Sequence, residues 1–317
     1  TLNLNGGTLT TSQILEGPQS GGTVTSTVNF NGGVLKPTTG TALGSAFLQG
    51  LDAANVKAGG AKIDTNGVGI TINQVLQHDS SLGSTADGGL EKLGSNTLSL
   101  GGVSTYTGAT TITTGTLILN AGGTIDNSSK AIIKSGATLN VAAKTSGYTV
   151  NGLEGAGTVT GLSGQAVTIA ASGTLSPGDG VGTLTISAGN LNLASGATYK
   201  MEIGGTTASP TSDLVNLTGT GSTVSLTGSY TLSLFNLGTV NPTGKTFVLF
   251  DAIAAISSPG TWTINYGTTG WSGGSVGLKA GDNTQLILTG VVPEPSTALL
   301  LLGGASALCL LRRRWQA

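Results

Sequence analysis

A short phrase recurs along this chain: a glycine, a small residue, and then apolar residues that alternate with threonine or serine. It begins at Gly115, Gly136, Gly157, Gly173 and Gly196. A unit of about 20 residues suits one turn of a parallel β-solenoid, because a few short strands and tight bends complete a coil. The repeat predicts an all-β chain that grows along one axis.

The composition agrees with this prediction. Hydrophobic residues make up 38% of the chain, so it can bury a core, and 54 of its 317 residues are glycine. Alternation places Leu, Ile and Val inside the coil and Thr and Ser outside. Glycine supplies the positive-φ corners that β-branched residues avoid, and stacked rungs together bury an apolar face that no rung buries alone.

Changes in strand length and residue composition along the chain predict three regions. Residues 1–200 form the solenoid repeats, and residues 201–291, with longer strands and more aromatic residues, form a β-rich cap over the last open edge. Residues 292–317 form a separate tail. Within the first region, residues 42–56 have apolar residues at roughly helical spacing, which predicts a loop or short helix that leaves the solenoid.

Charge and cysteine content narrow the possible partners. The three arginines are all in the tail, and the preceding residues hold ten lysines against fourteen acidic residues. A weakly acidic body without arginine is poorly suited to grip phosphates, so we expect no nucleic-acid partner. The single cysteine, Cys309, also lies in the tail. The body therefore has neither a disulfide nor a thiolate metal site, and we expect no cofactor and no bound metal.

Isolated polar residues offer little chemistry. His78 is the only histidine and is followed by Asp79, which is too little for a catalytic triad or a zinc site, so we interpret it as a turn residue. Asp64 with Asn66 provides too few oxygen ligands for calcium and predicts an Asx-type turn, as does Asp179 between two glycines.

An enzyme remains the weaker alternative. Glycoside hydrolysis needs two facing carboxylates, and rung stacking could align Glu91, Glu154 or Glu202, although nothing in the sequence marks a pair. We therefore expect no catalytic residues and no enzymatic activity.

Aromatic residues cluster near the end of the predicted cap. Trp262, Ile264 and Tyr266 alternate onto one strand face, and Trp271 follows closely. One interpretation is an aromatic cap that packs the solenoid end. The other is a glycan contact formed by Trp262, Tyr266 and Trp271, because exposed aromatic rings stack on sugars.

The tail has a distinct order. Val292-Pro293-Glu294-Pro295 precedes an apolar run from Ala298 to Leu311, and Arg312, Arg313 and Arg314 close it. Fourteen helical residues span about 21 Å, less than the roughly 30 Å hydrocarbon core of a bilayer. The arginines would hold its C-terminal end in the cytoplasm and leave the body outside. We therefore predict a short transmembrane helix that serves as a temporary anchor, with an ordinary permanent anchor as the alternative.

Two resemblances add to this interpretation. Phrases such as Phe30-Asn31-Gly32-Gly33-Val34-Leu35, Asn96-Thr97-Leu98-Ser99-Leu100 and Leu175-Ser176-Pro177-Gly178-Asp179 resemble the autotransporter-associated β-strand repeat family, over most of residues 30–217. This resemblance implies a right-handed parallel β-helix outside the cytoplasm. The tail is similar to the PEP-CTERM sorting signal of Gram-negative bacteria, which implies processing by an exosortase and an association with extracellular polysaccharide and biofilm.

These observations predict a non-catalytic structural or adhesive protein of the Gram-negative cell envelope. The chain would lie at the inner membrane during processing and then at the cell surface or in the extracellular matrix. Because the tail implies export, we also expect a secretion signal upstream of Thr1. The alternative function is a glycan-binding adhesin.

Overall fold

The computed structural model describes residues 1–17, 25–40, 45–161, 164–187 and 189–294, and within these ranges the chain is all-β. A single-turn 3-10 helix at Ser80–Leu82 interrupts the strands. The strands are β1 (Leu2–Leu4), β2 (Thr8–Thr11), β3 (Ile14–Leu15), β4 (Thr27–Phe30), β5 (Val34–Pro37), β6 (Ser45–Gln49), β7 (Ala53–Val56), β8 (Ala61–Asp64), β9 (Ile70–Ile72), β10 (Gln77–His78), β11 (Leu90–Leu93), β12 (Thr97–Leu100), β13 (Thr110–Ile112), β14 (Thr116–Leu119), β15 (Ala131–Ile133), β16 (Thr138–Asn140), β17 (Tyr148–Gly155), β18 (Thr158–Thr160), β19 (Ala166–Pro177), β20 (Thr183–Ser187), β21 (Asn190–Leu193), β22 (Thr198–Gly205), β23 (Pro210–Ser212), β24 (Leu214–Thr218), β25 (Val224–Ser225), β26 (Ser229–Asn236), β27 (Thr246–Asp251), β28 (Thr261–Asn265), β29 (Trp271–Lys279) and β30 (Asp282–Pro293).

Successive turns of the chain stack their strands in parallel. One long sheet runs from β2 to β28 with 14 strands, a second runs from β3 to β29 with 12 strands, and a short third sheet joins β1, β4, β7 and β10. Each strand in the main run pairs with the strand one turn before and one turn after it, as β12 does with β9 and β14. The stacking of parallel strands agrees with the predicted β-solenoid; its handedness stays a prediction.

The interior is a set of apolar columns. Within the 12-stranded sheet, Leu98, Leu117, Leu139 and Val159 stand at the same register of four successive rungs, and each is fully buried. The preceding threonine of each strand points outward and is only partly covered. Buried apolar side chains from Leu4 to Val291 form one continuous cluster. The predicted alternation is therefore confirmed, since the apolar members of each strand face the core.

Rung length follows from the register of the 14-stranded sheet. Thr110 pairs with Leu90 on the preceding rung and with Ala131 on the following one. These middle rungs match the predicted unit of about 20 residues. Further on, Thr198 pairs with Thr231, which lies much farther along the chain. The later rungs are longer because they carry extra segments between their strands.

The glycine phrases do not all belong to one sheet. The phrases at Gly115, Gly136 and Gly157 lead into the 12-stranded sheet, whereas those at Gly173 and Gly196 lead into the 14-stranded sheet. Gly157 and Gly173 are closer together in sequence than the other neighbouring pairs. This shorter interval is therefore a step from one sheet to the other within the coil.

The prediction of a loop or short helix at residues 42–56 is wrong over the described part of this segment, residues 45–56; residues 42–44 lie outside the described residues. Residues 45–56 contain β6 and β7, which pair in parallel with strands of the neighbouring rungs. Phe47, Leu48, Ala54 and Val56 are fully buried in the solenoid core. Stacking on adjacent rungs decides the conformation here, because it buries these side chains and satisfies the backbone at the same time.

Corners of the coil bring backbones into close contact. Gly89 has φ of +70°, and a Cβ at this position would lie 2.0 Å from the carbonyl oxygen of Ala109 on the next rung. Only glycine fits such a corner, since both the conformation and the space exclude a side chain.

Strands pair in parallel through β28. Residue 201, the predicted start of the cap, lies within β22, which is one of these parallel strands. The last hairpin changes direction: β30 pairs antiparallel with β27 on one side and with β29 on the other. The hairpin thereby extends the 12-stranded sheet beyond the last parallel rung. The division into three regions stays a prediction.

Asp213 links the later rungs through buried hydrogen bonds. Its carboxylate is fully buried and accepts hydrogen bonds from the backbone N–H groups of Gly182 and Glu202, each at 2.8 Å. Burial raises the pKa of Asp213 to about 7, because desolvation penalises the charged carboxylate more than its hydrogen bonds stabilise it.

Truncation of a core column should destabilise the protein. Leu139→Ala removes a fully buried side chain, so we expect the free energy of unfolding to fall by about 2–5 kcal/mol. Thr138→Ala, at the adjacent outward position, should change it by no more than about 0.5 kcal/mol. Urea denaturation followed by circular dichroism measures both, and equal losses would contradict the buried position of Leu139.

Asp213 should make stability depend on pH. Its pKa in the folded protein lies above the ordinary 3.8, so its contribution to stability is present below about pH 4 and is lost as the pH rises through about 7. We expect the stability of the wild type relative to Asp213→Asn to fall across this range. Chemical denaturation at several pH values tests this, and a difference that stays constant or grows would refute it.

Candidate functional site

The predicted sorting motif begins inside the last strand. In the β29–β30 hairpin, Val292 lies opposite Ser272 and Pro293 lies opposite Trp271. The backbone N–H of Glu294 donates to the carbonyl oxygen of Gly270 at 2.7 Å. The first part of the motif is therefore attached to the folded body by backbone pairing.

The two faces of this strand end differ. Val291 and Trp271 point inward and are 1% and 3% exposed, whereas Val292 is 40% exposed and Glu294 is exposed. The motif thus presents Val292 and Glu294 to solvent, while the inward side chains hold the strand end against the body.

The rest of the tail lies outside the described residues. This applies to Pro295, to the predicted membrane segment from Ala298 to Leu311, and to Arg312, Arg313 and Arg314. Over the described ranges, which end at residue 294, no helix is both long enough and apolar enough to cross a bilayer. The predicted transmembrane helix therefore stays a prediction.

The aromatic residues form a groove near the same hairpin. Trp262 and Ile264 of β28, with Tyr266 directly after it and with β29, line an open groove of about 320 Å³. The Trp262 ring lies 5.0 Å from that of Tyr230, and its Nε1–H donates to Pro259 O at 2.6 Å. Trp262 is thus held in place with part of its ring accessible.

Tyr266 is partly buried in the groove, and this burial raises the pKa of its hydroxyl. Trp271 is 3% exposed and packs into the core, so it offers the groove almost no surface. Of the three predicted glycan contacts, Trp262 and Tyr266 share the groove, and Trp271 supports the hairpin behind it.

His78 lies in a hydrogen-bonded corner with Asp87. Its Nδ1 lies 2.8 Å from the Asp87 carboxylate, and its Nε2 lies 3.1 Å from the carbonyl oxygen of Gly83. The hydrogen bond to Asp87 and then that to Gly83 raise the pKa of His78, because both acceptors favour the protonated ring. The interpretation of His78 as a turn residue is wrong, because His78 ends strand β10 and pairs in parallel with Val56 of β7, where stacking on the preceding rung decides its conformation.

Asp87 is a residue that the sequence analysis missed. Burial opposes its ionisation, but hydrogen bonds from the backbone N–H groups of Thr107 and Gly108 and from the His78 ring outweigh burial, so the pKa of Asp87 lies below its usual value. In the sequence, the only sign of the His78–Asp87 pair is that an acidic residue lies close to the single histidine. The hydrogen bonds that hold Asp87 in place come from the backbone N–H groups of Thr107 and Gly108 on the next rung.

The two predicted turns at acidic residues have different contacts. Asp64 accepts a hydrogen bond from the backbone N–H of Asn66 at 2.8 Å, which confirms the Asx-type turn. The exposed Asp179 forms an ion pair with Lys134. Over the residues that the structure describes, no group of three or more His, Cys, Asp or Glu side chains could hold a metal ion.

The candidate carboxylates are spread out. Glu91 and Glu154 share one column of the 14-stranded sheet, with Thr111 and Ile132 on the two rungs between them. Three rung spacings amount to about 14 Å, more than the roughly 5–9.5 Å that separates glycosidase carboxylates. Glu91 forms an ion pair with Lys62 at 3.1 Å, and Glu154 forms one with Lys130 at 2.8 Å.

Comparison with known proteins identifies the tail. The PEP-CTERM protein-sorting motif matches residues 291–314, a range that begins in β30 and includes the apolar segment and the arginines. No curated protein matches the chain. The resemblance of residues 30–217 to the autotransporter-associated repeat family stays a prediction. The matched motif indicates that this all-β chain is exported and sorted to the cell envelope by an exosortase.

Proposed function

We propose that the protein is a non-catalytic structural component of the Gram-negative cell surface or extracellular matrix, delivered there by exosortase processing. The observation that carries this proposal is the PEP-CTERM match at residues 291–314, directly at the end of the solenoid. The inner membrane holds the tail temporarily, and the arginine cluster keeps its end in the cytoplasm while the solenoid stands outside.

The architecture supports a structural role. A continuous core and backbone pairing between rungs give the stacked body stiffness along its axis. Outside this core, the outward face of the 12-stranded sheet presents threonine at the same register of successive strands, namely Thr97, Thr116, Thr138, Thr158 and Thr185. Such a surface is polar without being charged, which suits a protein that lies among matrix polymers.

The absence of enzymatic activity is part of the proposal. Its support is that Glu91 and Glu154 are engaged by lysines and lie too far apart to act on one bond. The buried Asp213 is likewise bonded to backbone N–H groups of its own rungs. These acidic groups thus serve the fold.

Glycan adhesion is the second candidate function, and the groove formed by β28 and β29 favours it. Trp262 and Tyr266 are half-buried there, so both rings are held rigidly with one part open to solvent. Rigid aromatic rings of this kind stack on the apolar faces of sugars at little entropic cost. Extracellular polysaccharide is the expected ligand.

Exosortase processing can be tested directly. We expect the chain, exported with its exosortase, to lose its C-terminal segment and to show a smaller intact mass. Pro293→Ala combined with Pro295→Ala should prevent this change, whereas Pro210→Ala, in strand β23, should not. Intact-protein mass spectrometry reads all three, and an unchanged wild-type mass in the presence of the enzyme would disprove processing.

The adhesion proposal predicts a localised loss of binding. Trp262→Ala and Tyr266→Ala should each weaken binding to matrix polysaccharide roughly five- to tenfold, equivalent to about 1–1.4 kcal/mol. Phe235→Ala, which removes a 43% exposed aromatic ring outside the groove, is the matched control. Glycan arrays or polysaccharide pull-downs measure the effect, and binding that survives both groove substitutions would exclude the groove.

A further inference from the structure

The end of β30 forms a distinct tip of the terminal hairpin. The pairing of β30 with β27 extends from Gln285 to Thr289, so residues 291–293 pair with β29 alone among the described strands. The tip, defined here as residues 270–273 with 291–294, is thus a two-stranded ribbon that packs on the body through Val291 and Trp271. A ribbon without a third strand is held less firmly than a wider sheet.

A pair of glycines separates the tip from the rest of the hairpin. Gly274 and Gly290 face each other between two paired segments and have φ of +84° and +74°. Regular strand geometry is interrupted at both positions, so the tip can open without disturbing the pairing of residues 275–289.

The tip contains the first residues of the sorting motif. Enzymes that cut or transfer a peptide commonly bind it as an extended strand through its backbone N–H and C=O groups. In the folded protein, the backbone of Glu294 is already bonded to Gly270, and Val292 is paired with Ser272. The same segment cannot lie in an enzyme cleft while β29 occupies one of its edges.

We propose that residues 292–294 must separate from β29 before the exosortase can process the chain, so that opening of the tip controls processing. This inference rests on the proposed function. The substrate is the chain with residues 292–294 released from β29, while Val291 and Trp271 stay packed in the body. The solenoid consequently presents its motif directly at its own end, and the local stability of the ribbon sets the rate.

A disulfide across the tip tests the inference. Ser272→Cys with Val292→Cys joins opposed residues, whose Cα separation of about 4.5–5.5 Å suits a disulfide, and Cys309→Ser removes the natural cysteine. With exosortase-containing membrane vesicles, we expect the oxidised variant to lose processing and a reductant to restore it. Ser275→Cys with Thr289→Cys, on the same Cys309→Ser background, clamps the hairpin beyond the glycine pair and should be processed whether oxidised or reduced.

The outcomes are separable. Wild-type protein that is never shortened would refute the proposed function. Shortened wild type together with equal processing of the oxidised and reduced tip variant would overturn the inference and indicate that the enzyme docks on the folded ribbon.

A second variant leaves the motif untouched. Ser272→Pro removes a backbone N–H from β29 opposite Val292 and should speed processing relative to Ser272→Ala, which retains that N–H. Time courses by intact mass spectrometry measure the two rates. Equal rates for the two variants would also count against tip opening as the controlling step.

Discussion

Backbone hydrogen bonding between successive rungs is the constraint on which the rest of this structure depends. Each strand of the coil has to satisfy its N–H and C=O groups on the rungs before and after it, at a spacing of about 4.8 Å. Side chains at one register therefore lie in contact along the axis, and columns such as Leu98, Leu117 and Leu139 have to be apolar throughout. Corners have to be small for the same reason, as Gly89 illustrates.

The same spacing determines where polar groups can be buried. Lys92 is fully covered, yet its Nζ donates to the carbonyl oxygens of Leu93 and Gly94 at the corner between two strands, at 3.0 and 2.6 Å. Burial lowers the pKa of Lys92 to about 8. Asp87 and Asp213 bind backbone N–H groups in a comparable way. Buried charge thus occurs at bends, where the ladder leaves backbone groups for a side chain to satisfy.

Stacking ends at β28, and the features with functional potential collect there. The terminal hairpin continues one sheet, while the strand of the other sheet leaves Trp262 and Tyr266 half-covered. The sorting motif starts in the same hairpin, at the tip where β30 extends beyond β27. The solenoid body supplies the rigid support, and its end supplies both a groove and a strand that can separate at low energetic cost.

Local patterns determined much of this protein in advance. Alternating apolar residues and glycine corners predicted the solenoid, and the Pro-Glu-Pro phrase with its basic end predicted the sorting signal. Residues 45–56 show the limit, because their apolar spacing is compatible with a helix and only pairing with neighbouring rungs makes strands β6 and β7. The tertiary structure alone decided which sheet each glycine phrase enters, that Trp271 is buried, and that the motif is paired with β29. These features depend on contacts between residues that are distant in sequence, and local periodicity carries no information about such partners.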